Sequence, residues 1–141
     1  MQKEIRHTWY FNQSPEEIWD YLTKPELIEQ WMMKTDFQPV VGQKFHLYSP
    51  WKNDVADCEV LEVDPFARLS YIWLAHSADY SRNFKSVVVW TLTPIDKGTE
   101  LQLMHNGFTM LEDIMGFNSG WNILVTQLVD LVKQQDVSMR Q

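Results

Sequence analysis

Residues 121–132, WNILVTQLVDLV, decide how the rest of the chain must fold. Trp121, Leu124, Val125, Leu128, Leu131 and Val132 recur at three- and four-residue steps, the spacing of one face of an amphipathic helix. Asn122, Thr126, Asp130 and Lys133 fall mainly off that face. The spacing predicts a closing helix of three or more turns from Trp121 onward. Such a helix buries its apolar stripe against another layer, so the preceding segments must supply one.

They read mostly as strands. TELQLMHNGF (99–108) alternates, with Leu101, Leu103 and His105 on one face and Gln102, Met104 and Asn106 on the other. It pairs naturally with FKSVVVWTLTP (84–94) through IDKG (95–98), whose Asp and Gly favour a tight hairpin. RLSYIWLA (68–75) puts Leu69, Tyr71, Trp73 and Ala75 on one face. VADCEVLEVDP (55–65) is strand-like, but its alternation breaks near Val60–Val63, and Asp64-Pro65 marks a turn. DFQPVVGQKFHLYSP (36–50) reads as a strand, a turn at Val41–Gln43, and a second strand with Phe45 and Leu47 facing together. EIRHTWYF (4–11) opens the chain as a strand with Ile5, His7 and Trp9 on one face.

Two short helices follow that opening strand. In NQSPEEIWDYL (12–22) Ser14 is the expected N-cap, Pro15 suits the first helical position, and Glu17 completes a capping box. Ile18, Trp19 and Leu22 form its apolar stripe. The second begins near Pro25 and carries Leu27, Ile28 and Trp31, running into the Met-rich stretch WMMK (31–34). Strands gathered in one run, with helices at the ends, indicate an α+β domain. No repeat or linker divides the 141 residues, so residues 1–141 read as one domain.

Composition narrows the function classes. Twelve Lys and Arg against 19 Asp and Glu give a formal charge of −7, which disfavours phosphate backbones and anionic membranes, so nucleic acid is not an expected partner. The single cysteine, Cys58, forms no intrachain disulfide and fits a reducing compartment. The N-terminal stretch lacks an apolar signal-peptide core and no apolar run reaches membrane-span length, so a soluble cytoplasmic protein is expected, without membrane insertion. Seven Trp, seven Phe and seven Met suit either an aromatic core or a lined cavity.

In this order and spacing, SPEEIWDYLTKPELIEQW, GQKF, EVLEVDPFARLSYIW, VVVWTLTPIDKGTELQLMHNGF and GWNILVTQL resemble the START-like (SRPBCC) helix-grip superfamily, in particular its activator of Hsp90 ATPase homologue 1-like branch. Gln43 departs from the pattern, since many members carry a second glycine after the position of Gly42. The resemblance implies a curved antiparallel sheet wrapped around a long C-terminal helix, with a cavity between them that binds a hydrophobic or amphipathic small molecule. Relatives in the wider superfamily include cyclases, hydrolases and lyases, so fold alone does not assign function. An enzyme acting on a cyclic or aromatic substrate, and a stress-linked, co-chaperone-like interaction module, stand as alternatives. A homodimer is compatible with either.

The candidate lining is Tyr71, Trp73, Trp90, Leu103, His105, Phe108, Trp121 and Val125, drawn from the strands and the closing helix. His105 is the one catalytic candidate, a general base at the cavity end; the same position suits a polar anchor held by backbone or by Tyr and Trp. His7, His46, His76 and His105 lie far apart without metal-ligand spacing, so no metal or other cofactor is expected. There is no nucleophile elbow, and Cys58 lies in a strand rather than at a helix start. HSADYSRNFK (76–85) reads as a polar hairpin or cavity rim, and the glycines of GFNSG (116–120) fall short of an anion site on their own.

Overall fold

A computed structural model describes residues 4–49, 54–77 and 79–139, the side chains of 136–139 excepted. Among the described residues, β1 (Ile5–Phe11) leads into α1 (Pro15–Thr23) and α2 (Pro25–Trp31). There follow β2 (Lys34–Thr35), β3 (Lys44–Tyr48), β4 (Val55–Asp64), β5 (Arg68–His76), β6 (Asn83–Ile95) and β7 (Gly98–Asn106), then α3 (Leu111–Met139). The strands make one antiparallel sheet in the order β1-β7-β6-β5-β4-β3-β2. Hairpins therefore build the sheet from β2 to β7, and β1 returns to cover the free edge of β7.

The Ser14 cap and Pro15 stand as expected, while the Glu17 carboxylate accepts from the Ser14 hydroxyl at 3.3 Å in place of the reciprocal amide bond of a capping box. Ser14 Oγ accepts from the Glu17 amide at 3.2 Å, Pro15 occupies the first turn, and Ile18, Trp19, Leu22 and Thr23 are buried. Replacing Ser14 by Ala removes the cap and is expected to cost about 1 kcal/mol, checked by urea denaturation.

Register explains the core. Trp73 pairs with Ser86, Tyr71 with Val88, Leu69 with Trp90, Val88 with His105, and Trp90 with Leu103. Residues opposite one another share a face, so these side chains all point to the same side of the sheet. That side is buried, and Trp121, Leu124, Val125, Leu128 and Val132 of α3 are buried with it. The broken alternation in β4 is a bulge: Val60 pairs with Tyr71 but Glu62 with Ser70, leaving Leu61 unpaired between them and 41% exposed. The extra residue lets Val60 face inward without forcing Leu61 to do so.

Two expectations need correction. Residues 36–40 do not form a strand; the strand at this point is only Lys34–Thr35, paired with Tyr48 and Leu47. Pro39 cannot donate to a ladder, and the segment turns instead through Val40–Gly42, where Gly42 takes φ +85°. The closing helix begins at Leu111, not Trp121. Gly116, Asn118, Ser119 and Gly120 are weak helix formers, but Ile114 and Phe117 carry the apolar spacing backward from Trp121 and pack on the core. His7 Nε2 meets Asn118 Oδ1, and Arg82 Nη2 donates to Asp113 Oδ2 at 2.8 Å, tying this early part of α3 to β1 and to the β5–β6 hairpin.

Candidate functional site

The three extra turns of α3 wall a concavity. Met33 after α2, Trp73 and His76 at the end of β5, Tyr80 in the β5–β6 hairpin, and one face of α3 enclose a cleft of about 410 Å³. The helix contributes Glu112, Asp113, Gly116, Phe117, Gly120, Trp121, Ile123 and Leu124. Gly116 and Gly120 lie one turn apart on that face, and a Cβ built at either meets no atom within 4 Å. The wall recedes there because side chains are missing. Trp73, Phe117 and Trp121 supply the aromatic surface, with Trp73 edge-on to both others at 5.7 Å.

The rim is polar and internally tied. His76 Nδ1 bonds Asn83 Oδ1 at 2.6 Å, Tyr80 donates to Asp54 Oδ2 at 3.1 Å, and the His76 and Tyr80 rings lie 5.4 Å apart. The segment read as a hairpin or rim is thus both, with Ala78 outside the described residues. The titratable side chains among the described residues that line the cleft are His76, Tyr80, Glu112 and Asp113.

Of the eight lining residues expected from sequence, Trp73 and Trp121 border this cleft. Tyr71, Trp90, Leu103, His105, Phe108 and Val125 lie behind it, each at most 4% exposed. Tyr71 and Trp90 belong to a second compartment with Trp31, Phe37 and Phe45, which retains only about 10 Å³. There the Trp90 indole donates to Tyr71 Oη at 3.0 Å, and burial pushes the phenol's pKa well above its ordinary value. Burial likewise raises the Cys58 thiol, leaving it protonated and unreactive.

His105 is fully buried in a chain of three hydrogen bonds. The Trp121 indole N–H, which can only donate, points to Nδ1 at 2.9 Å. Nδ1 is therefore the acceptor and the proton sits on Nε2, which donates to Ser86 Oγ at 2.8 Å. Ser86 in turn donates to the Trp73 carbonyl at 2.7 Å. Rings of Trp73, Phe108, Phe117 and Trp121 surround the imidazole at 4.8–5.9 Å. Desolvation lowers its pKa to about 3. With both nitrogens engaged and no neighbouring charge in that ring shell, His105 has no lone pair for a substrate. In this arrangement the imidazole links β5, β6, β7 and α3 through its hydrogen bonds.

The residues missed from sequence are Glu112, Asp113, Gly116, Phe117, Gly120, Ile123 and Leu124. Most depend on the earlier start of α3. The available signal was the step Ile114–Phe117–Trp121 with glycines on the adjoining positions 116 and 120.

A curled antiparallel sheet closed by a long C-terminal helix, with two short helices after the first strand, defines a helix-grip domain of the START-like (SRPBCC) type. The chain belongs to the family described as activator of Hsp90 ATPase homolog 1-like protein, whose model matches residues 12–133. It is similar to protein MLL2253 from Mesorhizobium loti, with 37% identity, coverage of 93% of this chain and 97% of that one, and a TM-score of 0.85. CalU16 from Micromonospora echinospora shares the fold at 22% identity, covering 92% and 73% of the two chains with a TM-score of 0.78. So does the Aha1 dimer from Colwellia psychrerythraea, at 19% identity, 90% and 93% coverage and a TM-score of 0.74. A search of the curated proteins found no match. Among the described residues, no helix is long and apolar enough to cross a membrane.

Proposed function

We propose that this protein binds a hydrophobic or amphipathic small molecule in the cleft between the first half of α3, the end of β5 and Met33. The observation that carries this reading is the absence of side chains at Gly116 and Gly120, which leaves about 410 Å³ against the aromatic wall of Trp73, Phe117 and Trp121. That volume lies in the range of small-molecule sites, and the pairing of an apolar wall with a few polar rim groups is their usual composition. A ligand that buries roughly 150 Å² of apolar surface there would gain about 4 kcal/mol from desolvation.

The glycines provide the test. Gly120→Leu adds a side chain whose Cβ meets no atom within 4 Å, at a position that borders the open volume. Leucine also favours the helix over glycine by roughly 0.5–1 kcal/mol. The variant is expected to keep or raise its melting temperature while losing at least about tenfold in affinity for any apolar ligand that quenches wild-type tryptophan fluorescence. Retained affinity in a folded Gly120→Leu protein would place binding elsewhere and defeat this reading.

A further inference from the structure

Asp113 has a buried polar atom that its neighbours do not satisfy. Its side chain is 2% exposed, and Oδ2 accepts from Arg82 Nη2 at 2.8 Å. Oδ1 is shielded from solvent and has no hydrogen-bond partner. The residue stands in the first turn of α3, whose free amides are available nearby, yet none of them bonds to Oδ1. An acceptor buried in this way costs roughly 1–3 kcal/mol, and a carboxylate oxygen more than a neutral one. Asp113 also borders the cleft, and Gly116, one turn further along the helix, opens the adjoining space.

We infer that, on a turn of the Asp113 side chain toward the cleft, Oδ1 receives a hydroxyl donor from the cleft's occupant, so that the site selects hydroxylated aromatic molecules over bare hydrocarbons. This rests on the cleft being the binding site, as proposed above, and adds to it the class of ligand. The chemistry asks for a neutral donor. Arg82 already balances the carboxylate charge, so an ammonium group would bring a second cation beside the guanidinium, whereas a hydroxyl supplies the missing hydrogen bond and no charge. The flat surfaces of Trp73, Phe117 and Trp121 complete the match by favouring an aromatic ring beside the hydroxyl.

Four probes of one shape separate the possibilities: 2-naphthol, 2-methoxynaphthalene, 2-methylnaphthalene and 2-(aminomethyl)naphthalene. Each is titrated into the ¹⁵N-labelled full chain and followed by amide shifts, with Gly116 and Gly120 reporting the location. The expected result is 2-naphthol binding at least about tenfold more tightly than the methoxy and methyl probes, the value of a hydrogen bond to a charged acceptor. In Asp113→Ala that preference should fall to within about twofold while 2-methylnaphthalene still binds. The wild-type comparison of naphthol with its methyl ether needs no variant, so it decides the matter even if Asp113→Ala does not fold. Equal affinity of those two, a preference that survives Asp113→Ala, or tightest binding of the amine would overturn the role of Asp113 and leave the cleft reading intact. Failure of every probe to shift Gly116 and Gly120 would remove the cleft reading, and this inference with it.

Discussion

Between pH 7 and pH 4 the folded state is expected to lose about 3 kcal/mol through His105 alone. The direction follows from burial. In the folded chain the imidazole resists protonation down to about pH 3, whereas the unfolded chain takes up the proton near pH 6.5. Between those values the unfolded state binds more protons, so stability rises with pH across the window and is fully present above about 6.5. His46 contributes with the opposite sign, because its hydrogen bond to Asp36 raises its pKa, and its exposed position keeps that contribution small. His105→Gln separates the two. The variant should be less stable at pH 7, since the Trp121 indole loses a well-placed acceptor, and its stability should vary less between pH 7 and 5.5, above the carboxylate range. Urea denaturation at a series of pH values measures both. A His105→Gln protein with the wild-type slope would show that the imidazole titrates freely in the folded state, against the hydrogen-bond chain described here.

The same residue shows which parts of the molecule were legible in the sequence. Alternation in residues 99–106 put Leu101, Leu103 and His105 on the inner face, and the register of β6 and β7 bears this out. Local chemistry also placed α1, because Ser14, Pro15 and Glu17 act within one turn of each other. The partners of His105 were not legible. Ser86 and Trp121 lie 19 and 16 residues away in sequence, and only the register of three strands and the docking of α3 bring them to one imidazole. The cleft was hidden for a related reason. Gly116 and Gly120 argue locally against helix, and packing of Ile114 and Phe117 on the core overrides them. The residues that break the local pattern are the ones that open the concavity. Aromatic content drew attention instead to Tyr71 and Trp90, which fill their compartment.

Alanine at Gly107 should destabilise the fold by about 3 kcal/mol or more, although it adds a single methyl group. Gly107 takes φ +108°, a region that L side chains rarely adopt. A Cβ there would stand 2.6 Å from the Lys85 carbonyl oxygen and 2.9 Å from the Ser86 Cα. Both are backbone atoms of β6 and cannot swing aside, so the exit of β7 would have to move. That exit carries Phe108, whose ring lies 4.8 Å from His105 and 5.5 Å from Phe117. Loss of near-ultraviolet circular dichroism from the aromatic cluster should therefore accompany the fall in urea midpoint, with far-ultraviolet signal largely kept at low denaturant. Gly120→Ala is the matched control. It makes the same chemical change at a helical position with no atom within 4 Å, where the methyl should add roughly 0.5–1 kcal/mol. Opposite signs for one substitution at two glycines would separate a residue required by backbone approach from one that keeps a wall open. A Gly107→Ala protein as stable as wild type would mean that β7 and β6 do not meet as described, and the setting of His105 would fall with that contact.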